Sequence, residues 1–126
     1  MPYLDDVAET LRHLCDGTRL RLLLMLATRG EQNVAQLCQA LGMPQPTVSH
    51  HLGILRRARL VRTRRQGREI HYRLDDSATP VGAGALRLTI GGATLLVETA
   101  RRAAGGRGAG LIFAAATGTA LAALAL

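Results

Sequence analysis

The chain has no lysine: all 16 of its basic residues are arginine, set against only 9 acids, for a formal net charge of +7. A positive field of that size draws phosphate-bearing partners, and nucleic acid and an anionic membrane both fit it. Guanidinium adds planar, bidentate contacts to phosphate and guanine that an ammonium cannot copy. Cysteine is nearly absent as well. Cys15 and Cys38 cannot build the staple network of a small secreted domain. The opening Met-Pro-Tyr-Leu-Asp-Asp lacks a basic region followed by an apolar run, so no secretory signal is expected and the reading is cytoplasmic. Catalytic patterns are missing too: there is no Gly-rich phosphate loop, no zinc-binding His pair with a catalytic Glu, and no Ser nucleophile in a strand-turn-helix glycine context. Asp5, Asp6 and Glu9 suit the dipole of a first helical turn better than acid catalysis. Neither an enzyme nor a cofactor is expected.

What is present has a clear order. At 126 residues the chain holds one modest domain and an appendage. Leu4, Val7, Ala8, Leu11 and Leu14 recur at three and four, the stripe of a first helix. Asp16 can cap a second, whose buried face is Leu20, Leu23, Leu24 and Ala27. Asn33 with Gln36 is a capping-box pattern, followed by Val34, Leu37, Cys38 and Leu41 and a stop at Gly42, which gives a short third helix. After a turn at Met43-Pro44, Gln45 takes the cap role and Pro46 opens a fourth helix that runs to about Arg59. Val48, Leu52 and Leu55 line its inner face. Residues 60–65 and 68–74 read as a basic hairpin joined through Gln66-Gly67. The expected fold is therefore mainly α with a β-wing, over 1–76.

Beyond Asp76 the composition turns to Ala, Gly, Thr and Leu, with a joint at Pro80, Gly82 and Gly84. In this C-terminal extension, 77–126, a hairpin over 86–98 about Gly91-Gly92 is favoured narrowly over a helix. Residues 108–126 form an uncharged Ala/Leu-rich tail, just short of the usual bilayer-spanning length. A helix at a dimer seam is the preferred reading of that tail, over a disordered segment or a membrane anchor, because alanine contributes little to insertion.

Two short helices joined by a tight turn, the second with a small polar outer face, meet the needs of major-groove reading. Gln45, Thr47, Ser49 and His50 are the candidate base readers; the bland alternative is a solvated surface helix. Eight arginines against the single acid Glu69 between Arg56 and Arg73 shift the balance. Arg64, Arg65 and Arg68 fall at or near the wing tip and Arg56, Arg57 and Arg62 at its base, where they can clamp phosphates. Cys15 and Cys38 are read as small packed hydrophobes, with a thiol sensor as the lesser alternative. His13 and His71 are read as structural or surface residues, and no metal site is expected.

The string Leu14-Cys15-Asp16-Gly17-Thr18-Arg19-Leu20-Arg21-Leu22-Leu23, with Gln45-Pro46-Thr47-Val48-Ser49-His50-His51-Leu52 and the Leu60-Val61 entry to a Gly67 wing, resembles the ArsR/SmtB repressors over residues 4 to 75. The resemblance implies a dimeric winged helix-turn-helix, a fourth helix that reads an inverted-repeat operator, and a ligand that weakens DNA affinity. It also implies dimerisation through terminal helices. The chain departs from that pattern where relatives hold metals. Asn33 and Ala35 stand in place of the Cys-x-Cys pair on the third helix, and no His follows His71 to supply the second site, so the inducer stays open. The function expected is a sequence-specific, homodimeric DNA-binding repressor of double-stranded DNA. An architectural DNA-binding protein and a membrane-tethered assembly protein are the alternatives.

Overall fold

The computed structural model describes residues 2–82, 84–100 and 110–116. Its elements run α1 (Pro2–Leu14), α2 (Gly17–Arg29), β1 (Gln32–Asn33), α3 (Val34–Leu41), α4 (Gln45–Arg57), β2 (Val61–Gln66) and β3 (Glu69–Leu74). The extension adds β4 (Ala78–Pro80), β5 (Ala85–Ile90), β6 (Ala93–Ala100) and β7 (Gly110–Ala116). The order is a winged helix-turn-helix with a sheet appended.

Local chemistry sets most of the boundaries. The Asp16 carboxylate accepts from the Thr18 and Arg19 backbone N–H groups at 2.9 and 3.1 Å, which satisfies donors that the start of α2 leaves open. Asn33 and Gln36 exchange side chain and backbone reciprocally at 2.8 and 2.9 Å, the capping box expected of α3. Gly42, with φ 64, ends that helix in the left-handed region. The start of α4 differs from expectation. Pro44, not Gln45, is the N-cap; no side chain caps the helix, and Gln45 and Pro46 occupy its first turn. The Thr47 and Val48 N–H groups bond the Pro44 carbonyl instead, so proline's fixed φ starts the helix without a capping side chain.

The end of α4 carries backbone strain. The Leu60 N–H reaches the Leu55 carbonyl and the Arg59 N–H the Arg56 carbonyl, both at 3.0 Å, a Schellman closure that requires a left-handed residue between them. That residue is Arg59, at φ 59, where glycine is usual. Leu55 and Leu60 are both buried, so their contact holds the turn against its strain.

The strands form two antiparallel sheets, ordered β1-β3-β2 and β4-β5-β6-β7. In the wing, Gln66 faces Glu69, so the two-residue turn is Gly67-Arg68, one residue later than expected. Gly67 at φ 62 supplies the positive φ that tight hairpins demand. Gly91 and Gly92, at φ 54 and 89, do the same between Ile90 and Ala93, which gives the β5–β6 hairpin. Two short strands have no counterpart in the sequence reading: β1 adds a third strand to the wing, and β4 places Pro80 opposite Leu86 where a joint was expected.

The tail requires a correction. Gly110–Ala116 is a strand paired along β6, Thr94 facing Ala116 and Ala100 facing Gly110, not the start of a dimer-seam helix. The open edge of β6 offers a row of backbone donors and acceptors, and pairing them outweighs alanine's helical preference. Residues 101–109 and 117–126 lie outside the described residues. No described helix is long and apolar enough to cross a membrane.

The extension is not a separate globule. Leu86, Leu88, Leu95 and Val97 belong to the same buried cluster as Leu14, Leu22, Leu23, Leu26, Leu37, Val48, Leu52 and Leu55. Alternation along β5 and β6 turns those residues inward, against α1 and α2. Arg59→Gly is expected to relieve the strain at the end of α4, after the entropy that glycine adds to the unfolded chain, by about 0.5–1 kcal/mol. A thermal melt would then rise by about 3 °C; an unchanged or lower Tm contradicts the strain.

Candidate nucleic-acid interface

The position of α4 is decided on its inner face. Val48, Leu52 and Leu55 are wholly buried, and spacings of four and three put them on one stripe. The opposite face is consequently fixed outward. His50 is exposed there with Thr47 and Ser49 exposed on either side of it, and Gln45 is exposed in the first turn of the helix. Gly53 shares that side: a Cβ would meet only the Arg57 guanidinium at 3.6 Å, so internal packing does not demand glycine at this place.

His51, next in the chain, turns inward and is half-buried. Its Nδ1 accepts from Arg19 Nε at 3.3 Å, while Arg19 Nη1 donates to the His13 carbonyl at 3.1 Å. Arg19 thus joins the end of α1, the start of α2 and the middle of α4. Asp16 lies 4.0 Å from the same imidazole. Its carboxyl is held below the ordinary range, first by the backbone hydrogen bond from Arg19, then by the His51 charge, the Thr18 N–H and the Arg19 charge, with partial burial opposing. The Asp16-Gly17-Thr18-Arg19 string is therefore a structural joint behind α4.

The arginines divide into two groups. Arg62, at the wing's base, is paired with Asp75 through Nε and lies 3.4 Å from Asp76 through Nη2. Arg64 grips Glu31 with two nitrogens, Nε to Oε1 at 3.1 Å and Nη2 to Oε2 at 2.6 Å. Arg56, Arg57, Arg65 and Arg68 are exposed and have no acidic partner within 4.0 Å among the described residues. Arg65 donates to the Gly67 carbonyl at 3.3 Å. Among the sequence candidates these four present undischarged positive charge beside the outer face of α4.

Glu31 is the residue that the sequence did not single out. It follows Gly30, which closes α2 at φ 76, and it reaches the wing only because the two-residue strand β1 lays this loop beside β3. Its carboxyl is pulled below the ordinary range, chiefly by the Arg64 hydrogen bond. His71 lies 4.0 Å from Glu31 and 3.1 Å from Glu69, a polar cluster at the root of the wing. His13 stands 3.9 Å from Glu9. Cys15, exposed after α1, and Cys38, half-buried on α3, are free thiols, and Cys38 packs against the core. Among the described residues no group of three or more His, Cys, Asp or Glu is placed to hold a metal ion.

The bacterial regulatory protein family arsR matches residues 16–63, the span from the Asp16 joint into the wing. The repressor PagR of Bacillus anthracis superposes with a TM-score of 0.53 at 37% identity, over 58% of this chain and 83% of that one. The chain belongs to the arsR family. A homodimeric winged helix-turn-helix DNA-binding domain, Mb0332 of Mycobacterium bovis, matches at 39% identity and a TM-score of 0.53, over 56% of this chain and 65% of that one. The HTH-type transcriptional regulator KmtR of Mycobacterium tuberculosis is 51% identical over 70 residues, 56% of this chain and 53% of its own length. The chain thus spans about half the length of that regulator. The regulator and the two solved structures each match little more than half of this chain.

Asp16→Ala is expected to cost about 1 kcal/mol at neutral pH, the usual worth of an N-cap. Because the folded pKa lies below the unfolded value of 3.8, that contribution is complete above the unfolded value and fades as pH falls through the folded one. Melts of the wild type and the variant should therefore stay apart from pH 8 down to about 5 and converge below about 4. A constant gap at low pH removes the carboxylate from the account.

Proposed function

We propose that this chain is a sequence-specific DNA-binding repressor, not an enzyme, which acts in the cytoplasm as a homodimer on an inverted-repeat operator. The observation that carries the reading is the outer face of α4. Thr47, Ser49 and His50 stand exposed on a helix whose inner stripe is wholly buried, with Gln45 exposed in its first turn, and a major groove admits one such helix. Arg56, Arg57, Arg65 and Arg68 flank that face and supply backbone contacts, which position the domain without reading sequence. Gly53, unneeded for packing, lets the backbone come close to a phosphate.

The homodimer is supported by the homodimeric M. bovis relative and by operator logic, since a two-fold protein reads a palindrome. Family membership favours a discriminating regulator over an architectural protein. Selection from a random DNA pool with the purified protein is expected to recover an inverted repeat; a pool with no enriched motif defeats the sequence-specific reading. On the selected site, Ser49→Ala and His50→Ala are expected to relax discrimination at particular base pairs by about 1–3 kcal/mol per contact. Arg68→Ala is expected to weaken binding to every sequence alike and to lower the salt slope by about one unit. Unchanged preference in the α4 variants puts the reading face elsewhere.

A further inference from the structure

The wing's basic character suggests that each of its arginines meets a phosphate. The geometry gives Arg64 a different role. We propose that the Glu31–Arg64 pair is a strut that fixes the angle of the wing against α2, and that Glu31 is thereby a positioning residue for DNA binding. The inference rests on the DNA-binding reading above.

Three observations carry it. Arg64 presents its forked edge, Nε and Nη2, to both oxygens of one carboxylate at 3.1 and 2.6 Å, the arrangement in which arginine gains both strength and direction. Nη2 also donates to Gln66 Oε1 at 3.2 Å, so two of the three guanidinium nitrogens are committed within the protein. The pair is electrically neutral as a unit, so it releases few counterions and adds little to the attraction for DNA.

The third observation is the path that the pair spans. Arg64 on β2 faces His71 on β3, and His71 faces Asn33 on β1. Glu31, just before β1, crosses β3 to reach the far strand. It is also two residues beyond the end of α2, a helix whose Leu22, Leu23 and Leu26 lie in the core. The contact therefore ties the outermost strand of the wing to a helix anchored in the core. His71, at 4.0 Å, and Glu69, which contacts His71 at 3.1 Å and Asn33 at 3.5 Å, fill the ground beneath it. Arg65 and Arg68, nearer the turn, carry no such tether and remain available for phosphate.

The test is a charge swap in the full chain, read with and without DNA. Glu31→Gln and Arg64→Gln are each expected to weaken binding to the selected operator about fivefold, the order of one exposed ion pair. The double variant, Glu31→Gln with Arg64→Gln, should be no weaker than either single change and should keep the wild-type salt slope. The swap variant, Glu31→Arg with Arg64→Glu, is expected to restore binding to within about twofold, since the same pair is rebuilt in reverse. If Arg64 instead clamps a phosphate, Glu31→Gln tightens binding, the double variant loses about 0.9 of salt slope, and the swap abolishes binding; any of these overturns the strut.

Amide hydrogen exchange across residues 61–74 without DNA gives a second readout. Both single variants should raise exchange there and the charge swap should return it to the wild-type level; unchanged protection in the singles equally overturns the proposal. Wild-type protein that binds no DNA while this protection pattern holds would defeat the functional reading and leave the strut standing.

Discussion

The seat of α4 is the constraint on which the rest depends. Val48, Leu52 and Leu55 are wholly buried in the cluster that also holds Leu22, Leu23 and Leu26 of α2, and truncating any such leucine to alanine removes about 2–5 kcal/mol. That burial does more than stabilise. It fixes the rotation of the helix about its own axis, and so decides that Thr47, Ser49 and His50 point outward while His51 points in. The Arg19 link to His51 at 3.3 Å and the Schellman closure at Arg59 then fix the slide of the helix and its exit into the wing. Orientation of the outer face of α4 is thus a consequence of core packing.

Much of this was legible in the chain because the determinants are local. Asp16 and Asn33 announce their caps from one to three residues away, Gly67 marks the wing turn, and the Gly91-Gly92 pair with its two positive φ values separates β5 from β6 where a helix competed. The failures share a physical cause as well. Strands β1 and β4 are 2 and 3 residues long, too short to show alternation, and exist because a neighbouring strand offers its edge. Gly110–Ala116 is Ala-rich but pairs along β6, and no window on the sequence reveals that edge. Glu31 was overlooked for the same reason: its meaning comes from Arg64, 33 residues away.

The appended sheet changes the mechanical picture of the domain. The family model ends at residue 63, yet Leu86, Leu88, Leu95 and Val97 complete the core under α1 and α2. Among the described residues a sheet stands where the resemblance placed a terminal helix, and with it a helix-borne ligand site after the wing. Between α1, the end of α4 and the β5–β6 turn lies an open cleft of about 970 Å³, with Asp6 and Glu9 on one wall and Arg57 and Arg59 on the other. The extension and the end of α4 line this cleft together, and the Ser77 hydroxyl donates to the Arg59 carbonyl at 3.0 Å, which links the start of the extension to the turn that closes α4.

Charge is where the count misleads most. The net +7 treats every arginine as equal, but the folded chain pairs Arg62 with Asp75 and Asp76 and Arg64 with Glu31. Without an acidic partner within 4.0 Å among the described residues, in and just after α4 and in the wing, are Arg56, Arg57, Arg59, Arg65, Arg68 and Arg73. Field strength at the groove depends on those positions, because the compensated pairs fall off over a few ångströms while an isolated charge reaches about a Debye length. Under the DNA-binding reading proposed above, a wing braced by neutral pairs, with free cations near its tip and beside α4, places its attraction where base contacts are made. Fewer available arginines in fixed places serve discrimination better than many mobile ones, since unspecific attraction strengthens right and wrong sites alike.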